Sequence, residues 1–138
     1  MANYSSNTVS VIDGATGTVV GSPISVGSGP YAVAVNPTTN KIYVANFGGN
    51  TVSVIDGATG LVIGSPIAVG SGPYAVAVNP TTNKIYVANT TDSTVSIIQD
   101  DPPVTNTPAS SSWSLALFAL AALVIAVGVR RHKISSLA

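Results

Sequence analysis

Residues Ala45–Val87 read ANFGGNTVSVIDGATGLVIGSPIAVGSGPYAVAVNPTTNKIYV, and the chain repeats that string on both sides. Ala2–Val44 is the same sequence with six substitutions, and a third copy runs from Ala88 to Ile98. Successive copies start 43 residues apart. A fixed period of about 40–45 residues, built from short β-rich runs, marks stacked four-stranded sheets of the β-propeller kind. The six substitutions (Tyr4/Phe47, Ser5/Gly48, Ser6/Gly49, Thr18/Leu61, Val20/Ile63, Ser25/Ala68) fall in one loop and in the run read below as the outer strand.

Four strands are expected per unit: Tyr31–Val35, Lys41–Ala45, Thr51–Ile55 and Leu61–Val69. They are rich in Val, Ile, Thr and Tyr, which suit a packed, pleated surface. The small apolar run Tyr31–Val35 fits the strand nearest a propeller axis, which packs on both faces. Ser65-Pro66 fits an outer strand, where a missing N–H costs little. The connections carry turn chemistry. Pro37, and its repeat Pro80, preset φ for a turn, and Asn40 tolerates a left-handed backbone. Asp13 and Asp56 offer side-chain acceptors that close Asp-Gly hairpins, and Gly60 supplies a positive φ. The fold class is therefore all-β: an incomplete propeller of about two four-stranded antiparallel blades over residues 1–100, in units 2–44, 45–87 and a partial 88–98.

The ordered motifs KIYVAN, NTVSVID and VGSGPYAVAVNPTTNKIYVAN resemble the YVTN family of β-propeller repeats across residues 2–98. The naming tetrapeptide stands as Tyr43-Val44-Ala45-Asn46 and Tyr86-Val87-Ala88-Asn89, with Ala in place of Thr. The resemblance implies a surface-layer or cell-envelope protein, a propeller of about seven blades, and a role as scaffold or binding surface. It transfers no catalytic residue. Two features depart from it. The units amount to little more than two blades, which leaves apolar faces open, and Ala2 aligns with Ala45, partway through a blade. The expectation is a C-terminal piece of a longer protein, or a chain whose copies associate to complete a ring.

After Ile98 the repeat decays. Gln99 replaces the Asp of Asp13 and Asp56, and residues 101–112 form a Pro/Ser/Thr/Asn stretch without periodicity, read as a disordered linker. Residues 113–129 (WSLALFALAALVIAVGV) carry no charge. At 1.5 Å rise they reach roughly 25 Å, the short end for a bilayer core, and read as one transmembrane helix. Trp113 would anchor one interface, and Arg130, Arg131 and Lys133 the other. That basic end, 130–138, is expected in the cytoplasm with the repeats outside, although Met1–Ser10 contain no export signal. Taken alone, the chain would instead be tail-anchored and face the cytosol. The layout is similar to C-terminal surface-sorting signals but lacks a recognition motif before the helix, so a plain anchor is preferred to processing.

Composition narrows the chemistry. Five basic and five acidic residues give zero formal charge, which argues against a nucleic-acid partner. Cysteine and glutamate are absent and His132 is the single histidine, so a His/Cys metal cluster and base-activated nucleophiles have no residues to build them. No metal, cofactor or catalytic residue is expected. The Asp13/Asp56 pair could form a Ca²⁺ ring, but closing an Asx turn is the simpler role. Asp92, Asp100 and Asp101 read as a solvated acidic patch. Asn3 and Asn89 open glycosylation sequons in loops expected to be exposed, with chance occurrence the preferred reading over a glycan. Tyr31, Tyr43, Tyr74 and Tyr86 recur and are expected between blades with their hydroxyls at an edge. Three readings follow: a non-enzymatic, membrane-anchored surface scaffold that binds a protein or surface polymer; a fragment of a propeller enzyme of lactonase or cofactor-dependent oxidoreductase type; and a self-associating surface-layer component.

Overall fold

A computed structural model describes residues 1–101, which form three antiparallel sheets. Residues 102–138, with the expected anchor residues Trp113, Arg130, Arg131 and Lys133, lie outside the described residues. Among those described, no helix is long and apolar enough to cross a membrane. The first sheet holds β1 (Ala2–Asn3), β2 (Thr8–Ile12) and β3 (Val19–Ser25). The second holds β4 (Pro30–Asn36), β5 (Lys41–Asn46), β6 (Thr51–Asp56) and β7 (Ile67–Ala68). The third holds β8 (Pro73–Asn79), β9 (Lys84–Asn89) and β10 (Thr94–Gln99). Each sheet is a meander, with strands paired in sequence order.

Sequence identity becomes identity of register. Ala34 pairs with Tyr43 as Ala77 pairs with Tyr86, and both inner pairs bulge at the same place, between Pro30 and Ala32 and between Pro73 and Ala75. The hairpin after β6 shows how the turn residues act. Asp56 Oδ1 accepts the backbone N–H groups of Ala58 at 2.7 Å and Thr59 at 3.0 Å, and Asp13 does the same for Ala15 and Thr16. Those N–H donors lower the pKa of both carboxyls. Gly60 closes the turn at φ 72°. An added Cβ there would meet only Ile24 Cδ1, at an ordinary 3.7 Å, so the cost of a side chain is conformational. Gly60→Ala should therefore lower stability by about 1 kcal/mol, read from a urea unfolding midpoint.

The fourth strand departs from expectation. Leu61–Val69 does not run continuously: only Ile67–Ala68 pairs with β6, with an isolated bridge between Ile55 and Val62. Gly64 at φ 64° turns the backbone out of the pleat, and Pro66 has no N–H to give the ladder. The first copy carries the equivalent Gly21 at φ 68° and absorbs it in a bulge between Val9 and Val11, so β3 stays one strand.

The second sheet is apolar on both faces, and each face packs against a neighbouring sheet. Tyr43, Val52 and Val54 of the second sheet meet Ile85 and Val87 of the third. On the other face, Val44 and Ile55 meet Val9 of the first sheet. Burying such Val and Ile side chains stabilises by about 1.5–3 kcal/mol each. The innermost strand β4 is less covered than expected: Val33 and Val35 are 36% and 54% exposed. Among the described residues the first sheet has no counterpart of β4 to lie against them.

Candidate functional site

Three places gather chemically distinctive side chains. The first is the Asn that ends each KIYVAN strand. Asn46 Nδ2 donates to Thr51 Oγ1 at 3.1 Å and Ser53 Oγ at 2.9 Å, tying β5 to β6. Ser53 Oγ in turn accepts the backbone N–H of Gly27, from the corner leading into the second sheet. The third sheet repeats the arrangement with Asn89, Thr94, Ser96 and Gly70. Asn3 makes the same two bonds to Thr8 and Ser10. A second Asn latches the following corner: Asn7 Oδ1 accepts the Gly29 N–H and Asn50 Oδ1 the Gly72 N–H. Asn7 and Asn50 sit at φ 55° and 53°, a left-handed conformation that Asn tolerates. In the third copy this position is Ser93, after which no corner sequence follows.

These contacts correct the sequon expectation. Asn89 is 1% exposed, and its amide nitrogen, the atom that would carry a glycan, is a donor inside the sheet. The Asn3 nitrogen is engaged in the same way.

The second place is the seam around Asp100, which is 3% exposed and so is no solvated acidic patch. Lys41 Nζ donates to Asp100 Oδ1 at 2.5 Å, Asn36 Nδ2 to Oδ2 at 2.8 Å, and the Thr39 hydroxyl also to Oδ2. Burial alone would raise the carboxyl pKa. The Lys41 ammonium, the hydroxyls of Thr39 and Tyr43 and the Asn36 amide outweigh it and hold the group below its usual range. Burial, and next the Asp100 carboxylate, push the Tyr43 phenol up. Asp100 thus joins the end of the third sheet to the β4–β5 turn of the second. Of the other acids, Asp92 accepts the Ser71 N–H at 2.5 Å. Among the described residues no three Asp, Glu, His or Cys side chains come together to hold a metal ion.

The third place is aromatic and exposed. Tyr31 and Tyr74 are the second residues of β4 and β8, one period apart. Their ring centroids lie 4.2 Å apart with planes inclined at 34°, and Tyr31 Oη donates to Tyr74 Oη at 2.6 Å. That bond raises the Tyr31 pKa. Tyr4 meets Tyr31 edge-on at 6.4 Å, and Phe47 lies 6.3 Å away on a tilt. Tyr4, Tyr31 and Tyr74 are about half exposed. The turn residues Pro37 and Pro80 lie in the β4–β5 and β8–β9 turns. There Asn36 Oδ1 accepts the Thr38 N–H and Asn79 Oδ1 the Thr81 N–H. Asp13, Asp56 and Gly60 lie in the hairpins between the third and fourth strands of their units. None of these turn residues contributes to the aromatic cluster. The signal that could have found the cluster was the aromatic residue kept at Tyr4 and Phe47 while both following loop positions changed.

One apolar face is also open. Val95 and Ile97 of β10 are 62% and 61% exposed, whereas their counterparts Val52 and Val54 are buried. A shallow depression of about 190 Å³ lies on this face, lined by Ala75, Ala77, Tyr86, Ala88 and Val95 among others.

No protein-family model matches the sequence, and a search of curated proteins finds no match either. Solved structures are similar to the chain, among them the following two. Hydrazine synthase from Kuenenia stuttgartiensis is 33% identical with a TM-score of 0.59, over 64% of this chain and 24% of that one. A functionally unknown protein from Desulfotomaculum acetoxidans DSM 771 is 21% identical with a TM-score of 0.52, over 72% of this chain and 38% of that one. The chain therefore spans well under two thirds of either. Together with the three antiparallel sheets, these likenesses fit a β-propeller-like fold.

Proposed function

We propose that this chain is a non-enzymatic, membrane-anchored cell-surface repeat protein of YVTN type, whose blades act as a scaffold for a protein or surface-polymer partner. The carrying observation is the division of labour among its side chains. The recurring polar groups hold loops and adjacent sheets together, while the aromatic rings at one end of the sheets stay exposed. Uncharged rings bearing hydroxyls suit a neutral polymer such as an envelope polysaccharide, whose C–H faces stack on them. The apolar run 113–129 and the basic residues after it would provide the anchor, with the blades outside.

The test uses intact cells displaying the full gene product, with wild type beside a Tyr4→Ser/Phe47→Ser variant. Protease added outside should remove the repeats, and the variant should retain several-fold less soluble envelope polysaccharide. Repeats protected until the membrane is broken would sink the outward orientation. Equal retention by both proteins would sink the aromatic face as the binding surface.

A second reading rests on the likeness to hydrazine synthase: the blades would be one module of a larger enzyme. Further blades bringing His or Glu to the inner-strand ends would favour it.

A further inference from the structure

We propose that Tyr31 and Tyr74 form a pair preset for oxidative coupling into a dityrosine cross-link between the second and third sheets. Their rings overlap at 4.2 Å and their hydroxyl oxygens are in contact at 2.6 Å. A phenoxyl radical carries spin on the carbons ortho to its oxygen. With the rings stacked and the two oxygens in contact, the ortho carbons flanking each oxygen lie at the same end of the stack. Both residues are 46% exposed, so an oxidant reaches them without unfolding. The remaining tyrosines are placed differently. Tyr4 presents its edge to Tyr31 at 6.4 Å, Tyr43 is buried at 2% exposure, and Tyr86 stands apart on the third sheet. This inference does not depend on the scaffold reading.

The reaction balances with hydrogen peroxide as oxidant and a haem peroxidase as its activator. Each phenol gives up one electron and its hydroxyl proton, and the two radicals join in one carbon–carbon bond. Loss of the two ortho hydrogens as protons restores both aromatic rings, and both oxygens are reprotonated. Peroxide takes up the net two electrons and two protons and leaves as two waters. The product closes a loop of one repeat between the innermost strands of neighbouring sheets, which restricts the unfolded chain. The chain has no cysteine, so disulfides cannot serve this purpose.

The test treats the purified full-length chain in detergent with peroxidase and hydrogen peroxide. A monomer lighter by two hydrogen atoms is expected, with the fluorescence of a coupled biphenol, a cross-linked peptide joining Tyr31 to Tyr74, and a raised thermal midpoint. Tyr31→Phe keeps the stacked ring and should abolish the product, whereas Tyr4→Phe and Tyr86→Phe should leave it intact. The proposal is overturned if no coupling occurs, if the cross-link maps to other tyrosines or forms only between molecules, or if it persists in Tyr31→Phe.

Discussion

Gly27→Ala should destabilise the fold by about 3 kcal/mol, at the upper end for overpacking a tight site. Gly27 is needed for space and not for an unusual backbone conformation, since it is not among the positive-φ glycines. A Cβ at this position would lie 2.5 Å from Asn46 Nδ2 and 2.7 Å from Asn46 Cγ. Asn46 is fully buried and tied to Thr51 and Ser53, so it has no cheap way to yield. If it moves, both bonds break, and the Ser53 hydroxyl keeps only the Gly27 N–H of its two donors. Asn46→Ala alone should cost less, about 2 kcal/mol, because the carbonyl oxygen it removes is itself buried without a partner. The double variant should unfold close to Asn46→Ala, since the methyl then finds room. Urea unfolding of the four proteins as a cycle checks this. Additive losses would show that Gly27 and Asn46 do not act as a unit.

This contact also shows where sequence reasoning stops. The first three strands of a blade and the Asp-Gly hairpins are legible because each depends on near neighbours: β-branched alternation in Thr51–Ile55, an acceptor at Asp56, a permissive residue at Gly60. Asn46 reads locally as a residue that ends a strand, because Asn disfavours sheets and favours turns. Its partner Gly27 lies in the corner that precedes β4, and only packing of one sheet on the next brings the two together. The same limit explains the sequon at Asn89. A tripeptide pattern reports residue types, not whether the amide is already bonded. The aromatic cluster was half legible: recurrence marked Tyr31 and Tyr74, but their stacking required the inner strands β4 and β8 to lie side by side.

Asp100→Ala should cost about 3 kcal/mol, the lower range for breaking a buried ion pair from one side. The Asp100 side chain is 1% exposed and Lys41 22%, so the surviving ammonium keeps some water and the full penalty is not expected. Asp100→Asn should cost less, because an amide oxygen still accepts from Asn36 and Thr39. The position itself breaks the repeat. Its counterparts are Gly14 and Gly57, and at Gly57 a Cβ would fall 2.5 Å from Asn40 Oδ1. Beside Asp100 the equivalent Asn83 Oδ1 accepts from Asn36 Nδ2, the same amide that donates to the Asp100 carboxylate. The pH dependence follows from the direction of the shift. The folded carboxyl binds its proton less readily than the unfolded one. Its contribution is therefore complete above the ordinary Asp value of about 3.9 and is lost as the pH falls through the lower, folded value. Asp13 and Asp56 are shifted the same way by their turns, so some acid sensitivity persists without Asp100. Thermal midpoints measured from pH 7 downward should fall steeply for wild type and more gently for Asp100→Asn. Parallel acid limbs for the two proteins would mean that the seam carries no charge-dependent stability and that Asp100 acts there by shape alone.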